Sequence, residues 1–305
     1  MIMSQKNMKL LVIAGGIIVI AAIVFFSISQ ENPDVINSDL KQPTSSISIG
    51  TIHRDAAKMT DRFQPLADHI ANKLSDDSET YRGTVIIPES QVEMINLINN
   101  HEIDIYIDSP IIGMKINEDA KMSPALFAWK DNAKSYHSVF FALNSSEIMS
   151  LDDIEGTTII FEDSESTSGY FLPLYHLMQM GYAVGTESSD DVSYQFSLDD
   201  ENTAIWIIEG RGDIGVVSNL DFEDIPDNAR NDLKIIGTTD ELPRQIVFFR
   251  DGLDVDSELI EILLELDGTE VPKVLKPSKL NKFSKLNPET DLSQVKTVLE
   301  YLNIK

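Results

Sequence analysis

Residues 157–178 constrain the fold of this chain more than any other stretch. A β-branched apolar run, Thr157-Thr158-Ile159-Ile160-Phe161, leads into Asp163-Ser164-Glu165-Ser166-Thr167-Ser168-Gly169. Apolar residues at helical spacing follow, at Phe171, Leu174, Tyr175 and Met178. The pattern predicts a strand that passes through a hydroxyl-rich turn into a helix. Amides that open a helix have no carbonyl one turn back and sit at the positive end of the helix dipole. Three hydroxyls and a glycine at that point make either a helix cap, for which one Ser or Thr suffices, or a cradle for an oxyanion. Taken alone, the stretch leaves both readings open.

The chain repeats this alternation on either side. Ile47 and Ile49 alternate as a strand entering a loop, and residues 63–74 carry Phe63, Leu66, Ala67, Ile70 and Leu74 at helical spacing. Strands are expected at 85–87 and 103–107, with a short helix over 92–98 between them. Residues 138–143 read as a strand leaving a first lobe. From residue 150 the pattern restarts, with strands near 158–161, 192–196, 214–217 and 234–237. Residues 245–249 form a second connecting strand, and helices are expected at 253–266 and 292–302. Residues 273–285 are locally basic and show no clear period. The expectation is an α/β protein of two lobes, 47–141 with 250–305 and 142–249, whose ligand loops lie at strand carboxyl ends. At 305 residues the chain is long enough for two full cores.

Residues 10–28 are almost wholly apolar and would span about 28 Å as a helix, enough for a bilayer core. Lys6 and Lys9 precede the run, while Glu31 and Asp34 follow it, which directs the remainder outward. Residues 1–29 are therefore expected to anchor the protein in the cell membrane by one pass, with the bulk of the chain outside the cytoplasm. Residues 30–46, polar with Pro33 and Pro43, are expected to form a linker. A cleaved signal peptide with Ser27-Ile28-Ser29 at its end is the alternative. There is no cysteine, so disulfides, thiolate metal sites and a lipid-linked cysteine are excluded. The formal net charge of −26 argues against nucleic acid as a partner. Exposed charge is screened beyond about 8 Å at physiological salt, so capture of an anion would rest on local dipoles and hydroxyls.

The stretch from Ser135-Tyr136-His137-Ser138-Val139, through Asp152-Asp153-Ile154-Glu155-Gly156, to Pro173 resembles the phosphonate, phosphite and phosphate receptors of ABC importers, the PhnD type. Further matches are Phe63-Gln64-Pro65-Leu66-Ala67, Gly210-Arg211-Gly212-Asp213-Ile214-Gly215 and Thr238-Thr239-Asp240-Glu241-Leu242-Pro243. The resemblance covers roughly residues 45–260. It implies a type II periplasmic-binding-protein-like fold, a small oxyanion bound between two lobes, and an ABC permease as partner. It also implies that Ser166, Thr167 and Ser168 hold the anion, with Gly169 permitting its close approach. Tyr136 and Asp213 fall where relatives place ligand contacts; simple packing and strand-end capping are their alternatives. Ser109 stands at a strand end, where a plain loop serine is the alternative, and His53 on a first-lobe loop, where a lone histidine is more often merely solvated. The loop at Thr51-Ile52-His53-Arg54-Asp55 and the run Asp108-Ser109-Pro110-Ile111-Ile112-Gly113 depart from the family. The second lacks the family's aromatic near Ile112 and Gly113. A sensor subunit of the same fold, or a receptor for another anion such as a sulfonate, therefore stays open.

An enzyme is not expected. The chain carries no G-x-S-x-G elbow, Walker A loop or G-x-G-x-x-G fingerprint, and its histidines are scattered without H-E-x-x-H spacing. Neither a metal nor a cofactor is called for. Charge-assisted hydrogen bonds contribute about 1.5–3 kcal/mol each. Three or four of them exceed the roughly 8 kcal/mol of micromolar binding before ordering costs are subtracted.

Overall fold

The computed structural model describes residues 43–185 and 191–303. The anchor expected at 1–29, and the linker up to residue 42, lie outside the described residues. Among those described, no helix is long and apolar enough to cross a membrane.

In chain order the first run is β1 (Ser45–Gly50), α1 (Ala56–Leu74), β2 (Tyr81–Ile86), α2 (Gln91–Asn99), β3 (Ile105–Asp108), α3 (Pro110–Asp119) and β4 (Met122–Lys130). A two-residue strand, β5 (Ser135–Tyr136), leads to β6 (Ser138–Leu143), β7 (Thr158–Phe161), α4 (Leu172–Gln179), β8 (Val184–Gly185), β9 (Val192–Phe196) and α5 (Asp200–Ile208). Next come β10 (Ile214–Ser218), α6 (Asn219–Asp224), α7 (Asp227–Arg230) and β11 (Leu233–Thr238). The chain closes with β12 (Leu242–Pro243), β13 (Gln245–Arg250), α8 (Asp256–Leu264), α9 (Pro272–Leu275), β14 (Leu280–Lys285) and α10 (Ser293–Tyr301).

Two six-stranded sheets result, ordered β14-β4-β13-β3-β1-β2 and β11-β6-β10-β7-β9-β8. Each mixes parallel βαβ units with antiparallel strands. β1 lies parallel to β2 and β3, whereas β13 runs antiparallel to β3 and β4. Helices cover both faces, so the central strands read as continuous apolar runs rather than as alternation. The pleat divides each run between two cores. Ile105 and Ile107 join Ile47, Ile49 and Leu66 on one face of the first sheet, while Tyr106 joins Ile111, Phe127 and Phe248 on the other. In the second sheet Phe140 and Ala142 face Ile159 and Leu177, and Val139 and Phe141 face Ile207 and Phe222.

Strand pairing moves the expected lobe boundaries. β6 pairs with β10 and β11, and β13 with β3 and β4. Residues 138–141 therefore belong to the second sheet, not the first, and 245–249 to the first, not the second. The crossings lie just before these strands, where β5 and β12 pair as a separate ladder (Tyr136 opposite Leu242, Ser135 opposite Pro243). The basic stretch 273–285 is corrected too, since it holds α9 and the edge strand β14. A register shift between Leu280 and Lys282 spaces the buried Leu280 and Phe283 three apart, which hides the period of two.

Candidate binding cleft

β7 delivers the chain to the hydroxyl-rich turn at its carboxyl end. Asp163 shapes the turn: its carbonyl accepts Ser166 N–H at 3.0 Å and its Oδ1 accepts Glu165 N–H at 2.9 Å. Residues Thr167–Phe171 then form one π-helical turn, closed by Phe171 N–H on Ser166 O at 3.0 Å, before α4 begins. Such wide turns occur mostly at functional sites. Ser166 caps it, its Oγ accepting Gly169 N–H at 2.9 Å. Phe171 and Leu172 pack with Ile111, Ile112, Leu292 and Val295 of the first lobe, which seats the turn against the opposite wall.

The turn faces a cavity of about 510 Å³ between the lobes. The first lobe contributes Ile52, His53, Arg54, Glu89 and Ser109; the second contributes Glu162, Asp163, Glu165, Ser166, Thr167, Leu198 and Asp199; Tyr136 comes from the crossing between them. Thr167 is only 2 % exposed, and its Oγ1 has no hydrogen-bond partner among the described residues. A buried hydroxyl left unsatisfied costs about 1–3 kcal/mol, so this one is poised for a ligand acceptor. The Tyr136 hydroxyl lies beside the side chains of Thr167 and Ser168, and burial pushes its pKa well up, so it stays neutral. Arg244 stands 5.5 Å over the Tyr136 ring, held by Asp131 at 2.8 Å.

Five of the eight residues singled out from the sequence meet here: Ser166, Thr167, Tyr136, Ser109 and His53. Ser109 precedes α3 without using its side chain as a cap. His53 Nδ1 accepts Asp55 N–H at 2.8 Å, which leaves Nε2 as the donor of the neutral ring. Ser168 and Gly169 are buried behind the cleft rather than lining it. The Ser168 carbonyl accepts the Ser138 hydroxyl at 2.7 Å. A Cβ on Gly169 would stand 2.4 Å from Glu162 Oε2, so the glycine makes room for Glu162 rather than for a ligand. Asp213 is a correction. Its carboxylate accepts Thr158 N–H at 2.8 Å, at the start of β7 and hence at the far end of the sheet from the cleft. At the missing aromatic, Ile112 is buried in the first-lobe core, and a Cβ on Gly113 would stand 2.3 Å from the Phe248 ring.

Glu89, Glu162, Asp163, Glu165 and Asp199 also line the cleft, and they make the wall acidic. Two of them tie the lobes together. Asp163 pairs with Arg54 at 3.5 Å, and Glu165 accepts Gln91 Nε2 at 2.7 Å. Asp199 caps α5, accepting Glu201 N–H at 2.9 Å. Glu162 accepts the Ser166 hydroxyl at 2.7 Å. Burial pushes its carboxyl upward in pKa, and the charges of Asp221 and Asp163 add to the push. The one available signal for Glu162 was its position, first after an apolar strand on the carboxyl side of the sheet.

Residues 49–291 match the family described as the periplasmic substrate-binding protein of phosphonate ABC transporters. Among solved structures, a Xanthomonas citri protein in a chloride-bound form superposes with a TM-score of 0.75 at 22% identity, over 85% of this chain and 98% of that one. The same protein bound to ATP gives 0.74 at 21%, with the same coverage. PhnD1 of Prochlorococcus marinus in complex with methylphosphonate gives 0.65 at 18%, over 85% of this chain and 99% of its own. At these identities the structures establish a common fold, and the family match, which spans most of the chain, establishes membership. The chain belongs to the family of periplasmic phosphonate-binding proteins that serve ABC transporters.

Proposed function

We propose that the interlobe cleft binds a small phosphonate and that the protein presents it to an ABC permease. The observation that carries this reading is the buried Thr167 hydroxyl, without a hydrogen-bond partner among the described residues, in the cavity wall beside Ser166 and Tyr136. The cradle works through neutral donors, because the nearby charged groups are mostly acids. Those acids favour a guest that pairs its phosphono group with a positive charge. Aminoethylphosphonate is therefore expected to bind more tightly than methylphosphonate, and both more tightly than a sulfonate. A ligand held by the second lobe gains first-lobe contacts only in the closed form and shifts the hinge equilibrium toward it. The permease would read that closure. The apolar residues 10–28, preceded by Lys6 and Lys9, support a membrane tether that keeps the receptor beside its transporter.

Calorimetric titration of the full-length protein in detergent with these three ligands tests the reading. Thr167→Val keeps the shape and removes the hydroxyl. It is expected to weaken phosphonate binding about 10- to 100-fold, in line with one charge-assisted hydrogen bond. Wild-type affinity in the variant would refute the cradle.

A further inference from the structure

Ser166 lines the cleft, yet its hydroxyl is already committed. Its single proton goes to Glu162 Oε2 at 2.7 Å, and its oxygen accepts Gly169 N–H at 2.9 Å. In that state it offers an incoming anion only lone pairs. Glu162 lines the same cavity and adds a negative charge. The Glu162 carboxyl hydrogen-bonds that of Asp200, and a bond between two carboxyls requires a proton on one of them. Asp163 and Asp221 face Glu162, while Asp221 and Asp199 face Asp200, so acids surround the pair. Ser218 Oγ donates to Asp221 and holds it there. Of the nearby cations, Arg54 is engaged with Asp163 on the rim, and Lys279 lines a second cavity beside Asp200. Burial, then the charges of Glu162 and Asp221, push Asp200 up to about 9. Asp200 is thus the member of the pair pushed toward holding the proton, and Glu162 is the member that accepts from Ser166.

Given the anion-binding role proposed above, on which this rests, we propose that Glu162 is a proton-dependent positioning residue: the cradle takes its guest with Glu162 neutral, so binding draws one proton from solvent onto the Glu162–Asp200 pair. The neutral Glu162 O–H donates to Ser166 Oγ, and Ser166 turns its own proton into the cleft. The cradle gains a donor and loses a repelling charge in one step. Only the O–H bond of Glu162 is new, and the pair ends with one more proton than it began with. Affinity accordingly falls as pH rises above neutral.

The test is calorimetry of the full-length protein with methylphosphonate, in buffers of different ionisation heat, from about pH 7 to about pH 9. The ligand's own protons are common to wild type and Glu162→Gln, so the difference between them reports the pair. Wild type is expected to take up more protons than Glu162→Gln, by a fraction approaching one. The affinity ratio of Glu162→Gln to wild type should climb with pH, by up to about tenfold per unit. Asp200→Asn, whose amide donates to Glu162 and holds it as a carboxylate, should bind several-fold more weakly than wild type. Equal proton uptake and parallel pH profiles in wild type and Glu162→Gln would overturn the inference. Should Glu162→Gln fail to fold, wild type at about pH 9, where the ligand is fully ionised, decides: uptake supports the inference and its absence overturns it. Wild type that binds none of the phosphonates refutes the function itself, a result distinct from binding without proton uptake.

Discussion

The two walls of the cleft are built differently. On the second lobe the contact groups are buried and fixed by backbone geometry: a π-helical turn, a serine cap, a glycine under a carboxylate, and a threonine that is 2 % exposed. On the first lobe they sit at loop and helix starts, and Arg54 is 79% exposed at its side chain. The contrast teaches a division of labour. A wall whose backbone is fixed before a ligand arrives needs little backbone ordering on binding. A wall of exposed loop residues supplies contacts that depend on closure.

Substitutions can break that contrast, and the largest effect belongs to the second lobe. Gly169→Ala would put a methyl group 2.4 Å from Glu162 Oε2 and 2.9 Å from Ser166 Oγ, forcing both out of place. Phosphonate binding is expected to fall more than about 100-fold, measured by calorimetry, while the cooperative melt survives. Ser109→Ala removes a first-lobe hydroxyl that no cap employs. A loss of roughly three- to tenfold is expected, consistent with one neutral hydrogen bond. A larger loss than that of Thr167→Val would reverse the assignment of walls. The smallest effect is expected for Arg54→Ala, because an exposed ion pair contributes about 0.2–1 kcal/mol. Its effect should stay below about fivefold and vanish at high salt; persistence at high salt would mean that Arg54 touches ligand.

Much of the second lobe was legible in the sequence, because β7, β9 and β10 are short apolar runs bounded by turns, and the hydroxyl turn after β7 is local. The lining of the cleft was legible where it comes from one stretch, as at Ser166 and Thr167. It was not legible where it depends on the ends of strands. Asp213 precedes β10, and in a parallel pair the residue entering a strand stands at the opposite end of the sheet from the one leaving it. Glu162 leaves β7 and so belongs to the lining of the cleft. Gly169 was credited to the ligand because sequence does not show which neighbour fills the space over a glycine. The edge strand β14 was hidden by its bulge, and the boundary of each crossing by two strands whose partners lie far along the chain.

The small ladder of β5 and β12 carries a mechanical consequence. Pairing Tyr136 with Leu242 joins the two crossings into one ribbon, so any rotation of one half against the other would have to carry both crossings together. Tyr136 belongs to that ribbon and also lines the cleft, so a guest held there would lie beside the crossings. A contact made at Tyr136 would thereby act directly on the one segment that both halves share, with no relay through either core.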